Sequence, residues 1–181
     1  MFDQTKSILV VIDVQGKLAE LVHDRNKTYE NICGLIQTAR TLDVPILWTE
    51  QVPEKIGATI PEIAQALSGA ESISKASFSC CGEKLFMKSL RALKRRQIVL
   101  TGIETHVCVY QTASDLLKKK YAVSVIADCV SSRSVQQTLI ALDHIRSLGG
   151  NIMTMEMLSC AWLKTAENPA FKAVLSLMKK R

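Results

Sequence analysis

The chain has 181 residues, 48% of them hydrophobic, with 8 Gly, 4 Pro and a net charge of +6. That length suits a single domain over 1–181 with its own core, and the composition argues against a disordered or collagen-like chain. The longest early apolar run, "ILVVI", ends at Asp13; it is too short for a signal-peptide core or a transmembrane helix, so a cytoplasmic protein with no membrane partner is expected.

Strand-like runs alternate with helical patterns along the chain. "SILVVID" (7–13) is an unbroken strand, and Leu35, Ile36, Ala39 and Leu42 then follow helical spacing. "VPILWTE" (44–50) and the weaker "ESISKAS" (71–77) are the second and third strands. "EKLFMKSLRALKRR" (83–96) is helical, "QIVLTG" (97–102) a fourth strand and "VCVYQTASDLLKKK" (107–120) the next helix. "YAVSVIAD" (121–128) is the fifth strand. It is followed by a long helix, "SVQQTLIALDHIRSLG" (134–149), with Leu139, Leu142, Ile145 and Leu148 towards one side. "NIMTM" (151–155) is the sixth strand, and a final helix follows Pro169. Strands that are apolar throughout, alternating with helices, predict an α/β fold: a doubly wound parallel sheet in three αβα layers. The common order 3-2-1-4-5-6 puts strands 1 and 4 side by side at the switch point, where ligands bind beyond the carboxyl ends.

Basic residues cluster in "RALKRRQ" (91–97), "LKKKY" (117–121) and "KKR" (179–181). The first two close predicted helices, where cations complement the helix dipole. No aromatic platform accompanies them, so no nucleic-acid partner is expected.

Six cysteines occur without C-x-x-C or zinc spacing, and Cys80 and Cys81 are adjacent. Cys108 sits near a predicted helix start after strand 4, where the dipole lowers a thiol pKa. A buried thiol in the core is the plain alternative. Asp13 ends strand 1 after five apolar residues, and a carboxylate there is costly to bury unless paired; it suits a general base. Lys75, at the end of strand 3, could keep Asp13 ionised. His106 stands only two residues before Cys108, too close in sequence for the usual nucleophile–base pair. His23 and His144 read as surface residues.

These segments carry a resemblance. "GIETHVCVYQTASDL" resembles the nucleophile segment of the isochorismatase-like cysteine hydrolases, "LVVIDVQ" (9–15) their first-strand signature and "SKASFS" (74–79) their lysine segment. "TEQVPEKIGATIPE" (49–62) and "ADCVSSRS" (127–134) resemble the isochorismatase domain-containing subgroup. The resemblance implies an Asp13–Lys75–Cys108 triad, a cis peptide at Ile103–Glu104 and an oxyanion hole from the N–H groups of Glu104 and Cys108. It also implies a homo-oligomer. The nicotinamidases of that superfamily carry an Asp/His metal cluster after the second strand. The corresponding stretch here has no histidine, so no metal or cofactor is expected. Isochorismatases proper lack the cysteine, which disfavours isochorismate as substrate.

The expected function is metal-independent hydrolysis of a small amide-like C–N bond through a thioester. Gln15, Thr49, Gln51 and Phe78 are expected pocket walls, since each lies beside a strand end or a triad residue. A binding protein on the same fold, and a thiol redox protein pairing Cys108 with Cys80 or Cys81, are the alternatives.

Overall fold

A computed structural model describes residues 2–179. The 179–181 basic cluster lies outside the described residues except for the backbone of Lys179. Six parallel strands form one sheet: β1 (Ser7–Ile12), β2 (Ile46–Gln51), β3 (Ser72–Lys75), β4 (Gln97–Ile103), β5 (Ala122–Ser131) and β6 (Asn151–Met153). Their order is β3-β2-β1-β4-β5-β6, the doubly wound order expected from the alternation of strands and helices.

Every residue of β1 is buried. Leu9 and Val11 join one apolar layer, and Ile8, Val10 and Ile12 join the other. This two-sided burial is why the strand is apolar at every position rather than at alternate ones. The first layer is closed by α1 (Gly16–Leu21), α2 (Arg25–Thr41), the short helices α3 (Pro53–Ile56) and α4 (Pro61–Ala66), α8 (Met155–Leu163) and α9 (Phe171–Lys179). The second is closed by α5 (Lys84–Ala92), α6 (Tyr110–Lys118) and α7 (Val135–Ser147).

Two expectations need correction. The sixth strand stops at Met153 because the Thr154 side chain accepts from the Met157 N–H and caps α8, so Met155 is helical. Trp162 of α8 is fully buried and its Nε1–H donates to Ser7 Oγ at 3.0 Å. Of the four positions expected on one side, only Leu142 and Ile145 are buried; Leu139 on α7 and Leu148, just past its end, are exposed. A 3.6-residue period fits residues 142 and 145 on the covered face and leaves the others beyond its edge.

The first two basic clusters meet at the amino-terminal rim, opposite the strand ends that matter below. Arg95 donates to the carbonyls of Gln4 and Ser7 at 2.8 and 2.9 Å, and Arg96 donates to Lys120 O at 3.0 Å while stacking over Tyr121. They satisfy chain ends and loop carbonyls, as the helix-end reading anticipates.

Gly102 fixes the close approach of β4 to β1. Its φ is +116°, and a Cβ there would lie 2.0 Å from Ile12 O. Gly102→Ala is expected to cost roughly 3 kcal/mol through strain and displacement of β1, read as a lowered urea midpoint with an unchanged m-value.

Candidate active site

The chain leaves β1 through Asp13, whose φ of 51° is a left-handed conformation that aspartate tolerates better than most residues. Its N–H donates to Thr49 O at 3.2 Å, which ties the turn to β2. The carboxylate is fully buried. Oδ1 accepts from Thr49 Oγ1 at 2.8 Å, and Oδ2 lies 2.6 Å from Lys75 Nζ.

Lys75 is the last residue of β3, two strands away from β1. Strand spacing makes that roughly 10 Å, a span the long lysine side chain covers by passing over the end of β2. On the way its ammonium donates to Gln51 Oε1 at 2.6 Å and to the carbonyls of Ser77 and Phe78 at 3.2 and 3.1 Å. The lysine is buried, with 0% side-chain exposure. Burial opposes its charge, but the Asp13 carboxylate is the largest of the influences that outweigh this and hold its pKa above the ordinary lysine value. It stays an ammonium.

Cys108 lies in a π-helical turn, Thr105–Val109, that runs directly into α6. The preceding Ile103–Glu104 peptide is cis. Cys108 is 5% exposed, and its thiol lies close enough to the Asp13 carboxylate to feel its charge. Sequence position alone suggested a lowered thiol pKa. The geometry reverses that: burial pushes the thiol well above its ordinary value and the Asp13 carboxylate pushes it further, with Lys75 only partly offsetting them. The resting group is therefore a neutral thiol beside a carboxylate.

The other expected site residues are distributed unevenly. Thr49 and Gln51 touch Asp13 and Lys75 respectively, as described. Gln15 is buried as a brace: its amide donates to Gln51 O and Gly57 O, and Oε1 accepts from the Gln51 N–H at 2.6 Å. Thr49 and Gln51 thus bond directly to Asp13 and Lys75, Gln15 braces Gln51, and Gln51 Nε2 is likewise engaged, on Ala76 O at 2.7 Å. Phe78 is half exposed, with its carbonyl on Lys75.

The carbonyl of Glu104 accepts from the N–H groups of Val107 and Val109. Its carboxylate accepts from Arg133 Nε at 2.9 Å. His106 turns away from the thiol: Nδ1 is 3.0 Å from Ser132 Oγ, and Nε2 is 3.5 Å from Arg133 Nη2. His23 and His144 are exposed, and His144 meets the edge of Tyr110. Thr112 escaped sequence reasoning, and Cys80 entered it only as a redox partner for Cys108. Cys80 is fully buried with its sulfur 3.7 Å from Thr49 Oγ1, and its N–H donates to Thr112 Oγ1 at 3.0 Å. The only sequence signal was the closeness of Cys80 to Lys75 in the chain.

A carboxylate, an ammonium and a thiol, contributed by the ends of β1 and β3 and the turn after β4, thus gather at the switch point, the first two as an ion pair. The isochorismatase domain family model matches residues 7–157, which contain all three. The chain belongs to the isochorismatase family. Isochorismatase domain-containing protein 2 of Danio rerio is 34% identical over 173 residues, covering 95% of this chain and 86% of that protein. A structure described as the MAR1 ribonuclease of Caenorhabditis elegans is 33% identical, with a TM-score of 0.92 over 98% of this chain and 91% of that one. The YcaC product of Escherichia coli, described as an octameric hydrolase of unknown specificity, is 22% identical; it has a TM-score of 0.91 over 98% of this chain and 88% of that one. This isochorismatase-family chain therefore carries the family's hydrolase fold over its described length.

Proposed function

We propose that this family member is a metal-independent cysteine hydrolase that cleaves a small amide-like C–N bond. The observation that carries the reading is the close grouping of Asp13, its 2.6 Å partner Lys75 and the Cys108 thiol in one buried setting. A neutral thiol beside a carboxylate is poised for proton transfer at the moment of attack, and an adjacent fixed ammonium keeps that carboxylate ionised until then.

Asp13 takes the Cys108 proton as the sulfur adds to the substrate carbonyl. The N–H groups of Glu104 and Cys108 hold the resulting oxyanion, an interaction worth roughly 100- to 1000-fold in rate per donor. The tetrahedral adduct collapses as Asp13 hands its proton to the departing amine, leaving an acyl thioester. Asp13 then takes a proton from water, hydroxide adds to the thioester, and the acid leaves as the thiol is restored. Lys75 remains an ammonium throughout. It orients Asp13 and balances its charge.

Cys108 and Lys75 are almost closed to solvent, which suits a small molecule and not the backbone of an RNA strand. The octameric relative supports a homo-oligomer as the working assembly. A panel of small primary amides and carbamoyl compounds, followed by release of ammonia, tests the reading. Cys108→Ala is expected to remove turnover and His106→Ala to leave it within about threefold, since His106 is bonded to Ser132 and Arg133. Full activity in Cys108→Ala, or complete loss in a folded His106→Ala protein, would overturn it.

A further inference from the structure

Cys80 is a buried nucleophilic group that the proposed hydrolysis does not use, yet it is wired to the same carboxylate as Cys108. The Thr49 hydroxyl hydrogen is committed to Asp13 Oδ1 at 2.8 Å. The 3.7 Å contact between Thr49 Oγ1 and Cys80 Sγ therefore has the thiol as donor, because the hydroxyl has only one hydrogen to give. Two thiols thus neighbour one carboxylate, and Cys80 is linked to it through a single hydroxyl.

The backbone brings them together as well. The Cys80 N–H is held at 3.0 Å by Thr112 Oγ1, and Thr112 lies four residues beyond Cys108. Along a helical segment that spacing puts the two side chains on one face, one turn apart. Both sulfurs sit in the same apolar cluster, and each cysteine is close enough to Asp13 and Lys75 to feel their charges. All six cysteines are free thiols. Cys108 has slight solvent access and Cys80 none.

We propose that Cys80 is the resolving thiol for Cys108, so that a peroxide converts the pair reversibly into a Cys80–Cys108 disulfide. In the first step Cys108 gives its proton to Asp13 and its sulfur attacks one oxygen of hydrogen peroxide. The O–O bond breaks, a sulfenic acid forms, and the departing hydroxide takes up a proton to become water. In the second step Cys80 passes its proton through Thr49 to Asp13, and its sulfur attacks the Cys108 sulfur. The S–O bond breaks, and the leaving hydroxide is protonated to a second water. Two thiols are oxidised by two electrons, and one peroxide is reduced to two waters. Burial keeps Cys80 from meeting the oxidant first, and its pKa, pushed up to about 12 by burial and by Asp13, keeps it a thiol until the sulfenic acid appears beside it. The captured state would withhold the nucleophile from substrate and spare it from irreversible oxidation.

The test needs no substrate. The full chain is treated with a small molar excess of hydrogen peroxide, alkylated, digested without reductant and mapped by mass spectrometry. The expected product is a linked peptide joining Cys80 to Cys108, lost on addition of dithiothreitol. In Cys80→Ser the link is absent, and Cys108 accumulates as sulfinic acid at least tenfold faster than in the native chain. Cys81→Ser, changed beside Cys80, keeps the link. The native map stands by itself if Cys80→Ser does not fold. Sulfinic Cys108 with no linked peptide in the native chain, or a link through Cys81, would overturn the proposal. Neither outcome depends on whether an amide is hydrolysed.

Discussion

Asp13→Asn is expected to abolish amide turnover while making Cys108 more reactive towards iodoacetamide. The two effects separate because Asp13 has two opposite influences on one thiol. Its negative charge favours the protonated form, so replacing it by a neutral isostere lowers the Cys108 pKa and leaves Lys75 to favour the thiolate. At pH 8 the alkylation rate should rise severalfold. In the native chain the rate should still be climbing at pH 10, with no plateau near the ordinary thiol value of 9.0, because the folded pKa is raised. Turnover moves the other way. The base that accepts the thiol proton and returns it to the leaving amine is gone, and loss of a triad member that acts as part of a unit costs about ten-thousandfold or more. Rates of alkylation and of ammonia release, measured on the same preparation, check both. A parallel fall in the two would point to simple disruption of the site.

Lys75→Met is expected to be the most destabilising single change among the triad variants. Asp13 Oδ2 faces the ammonium at 2.6 Å with both side chains essentially without exposure. Removing the cation strands a buried carboxylate, a loss of about 3–5 kcal/mol. For a chain of this size that corresponds to roughly 6–20 °C in Tm. The double variant Asp13→Asn with Lys75→Met removes both charges, and its stability should recover by more than half of the loss in urea titrations. A single Lys75→Met chain as stable as the native one would show that the pair is not the electrostatic keystone of this rim.

Much of this arrangement was legible in the sequence because parallel sheets leave a loud signature. A strand covered on both faces is apolar at every position, so β1, β4 and β5 stood out, and the polar residue ending β1 was conspicuous at Asp13. The order of strands then followed from chirality and common topology, and with it the adjacency of Asp13 and the turn holding Cys108. Lys75 was less visible, since nothing local says that a lysine at the edge strand β3 reaches across β2.

What stayed hidden depended on side-chain direction. Gln15, Thr49 and Gln51 lie beside the right strand ends, but whether they face a ligand or brace the triad is set by rotamers that sequence spacing does not encode. The Cys108 pKa was misread because the helix start is evident from sequence while burial and the Asp13 contact are not. Leu139 on α7 and Leu148 just past its end match the apolar pattern in composition but not in angle. Cys80 was visible only as a redox candidate near Lys75 in the chain, because its contacts with Thr49 and Thr112 join separate elements.

The central claim is that Cys108 forms a covalent acyl intermediate with Asp13 as its base. The most direct measurement is an acid quench during turnover of a slow acyl donor such as 4-nitrophenyl acetate, followed by peptide mass mapping. The account predicts one acetyl group on the peptide containing Cys108, formed in a burst in the native chain, absent in Cys108→Ala, and persisting undischarged in Asp13→Asn, where the base that activates water is gone. Turnover with no acyl-Cys108 at any quench time, or acetyl accumulating on another residue, would contradict it.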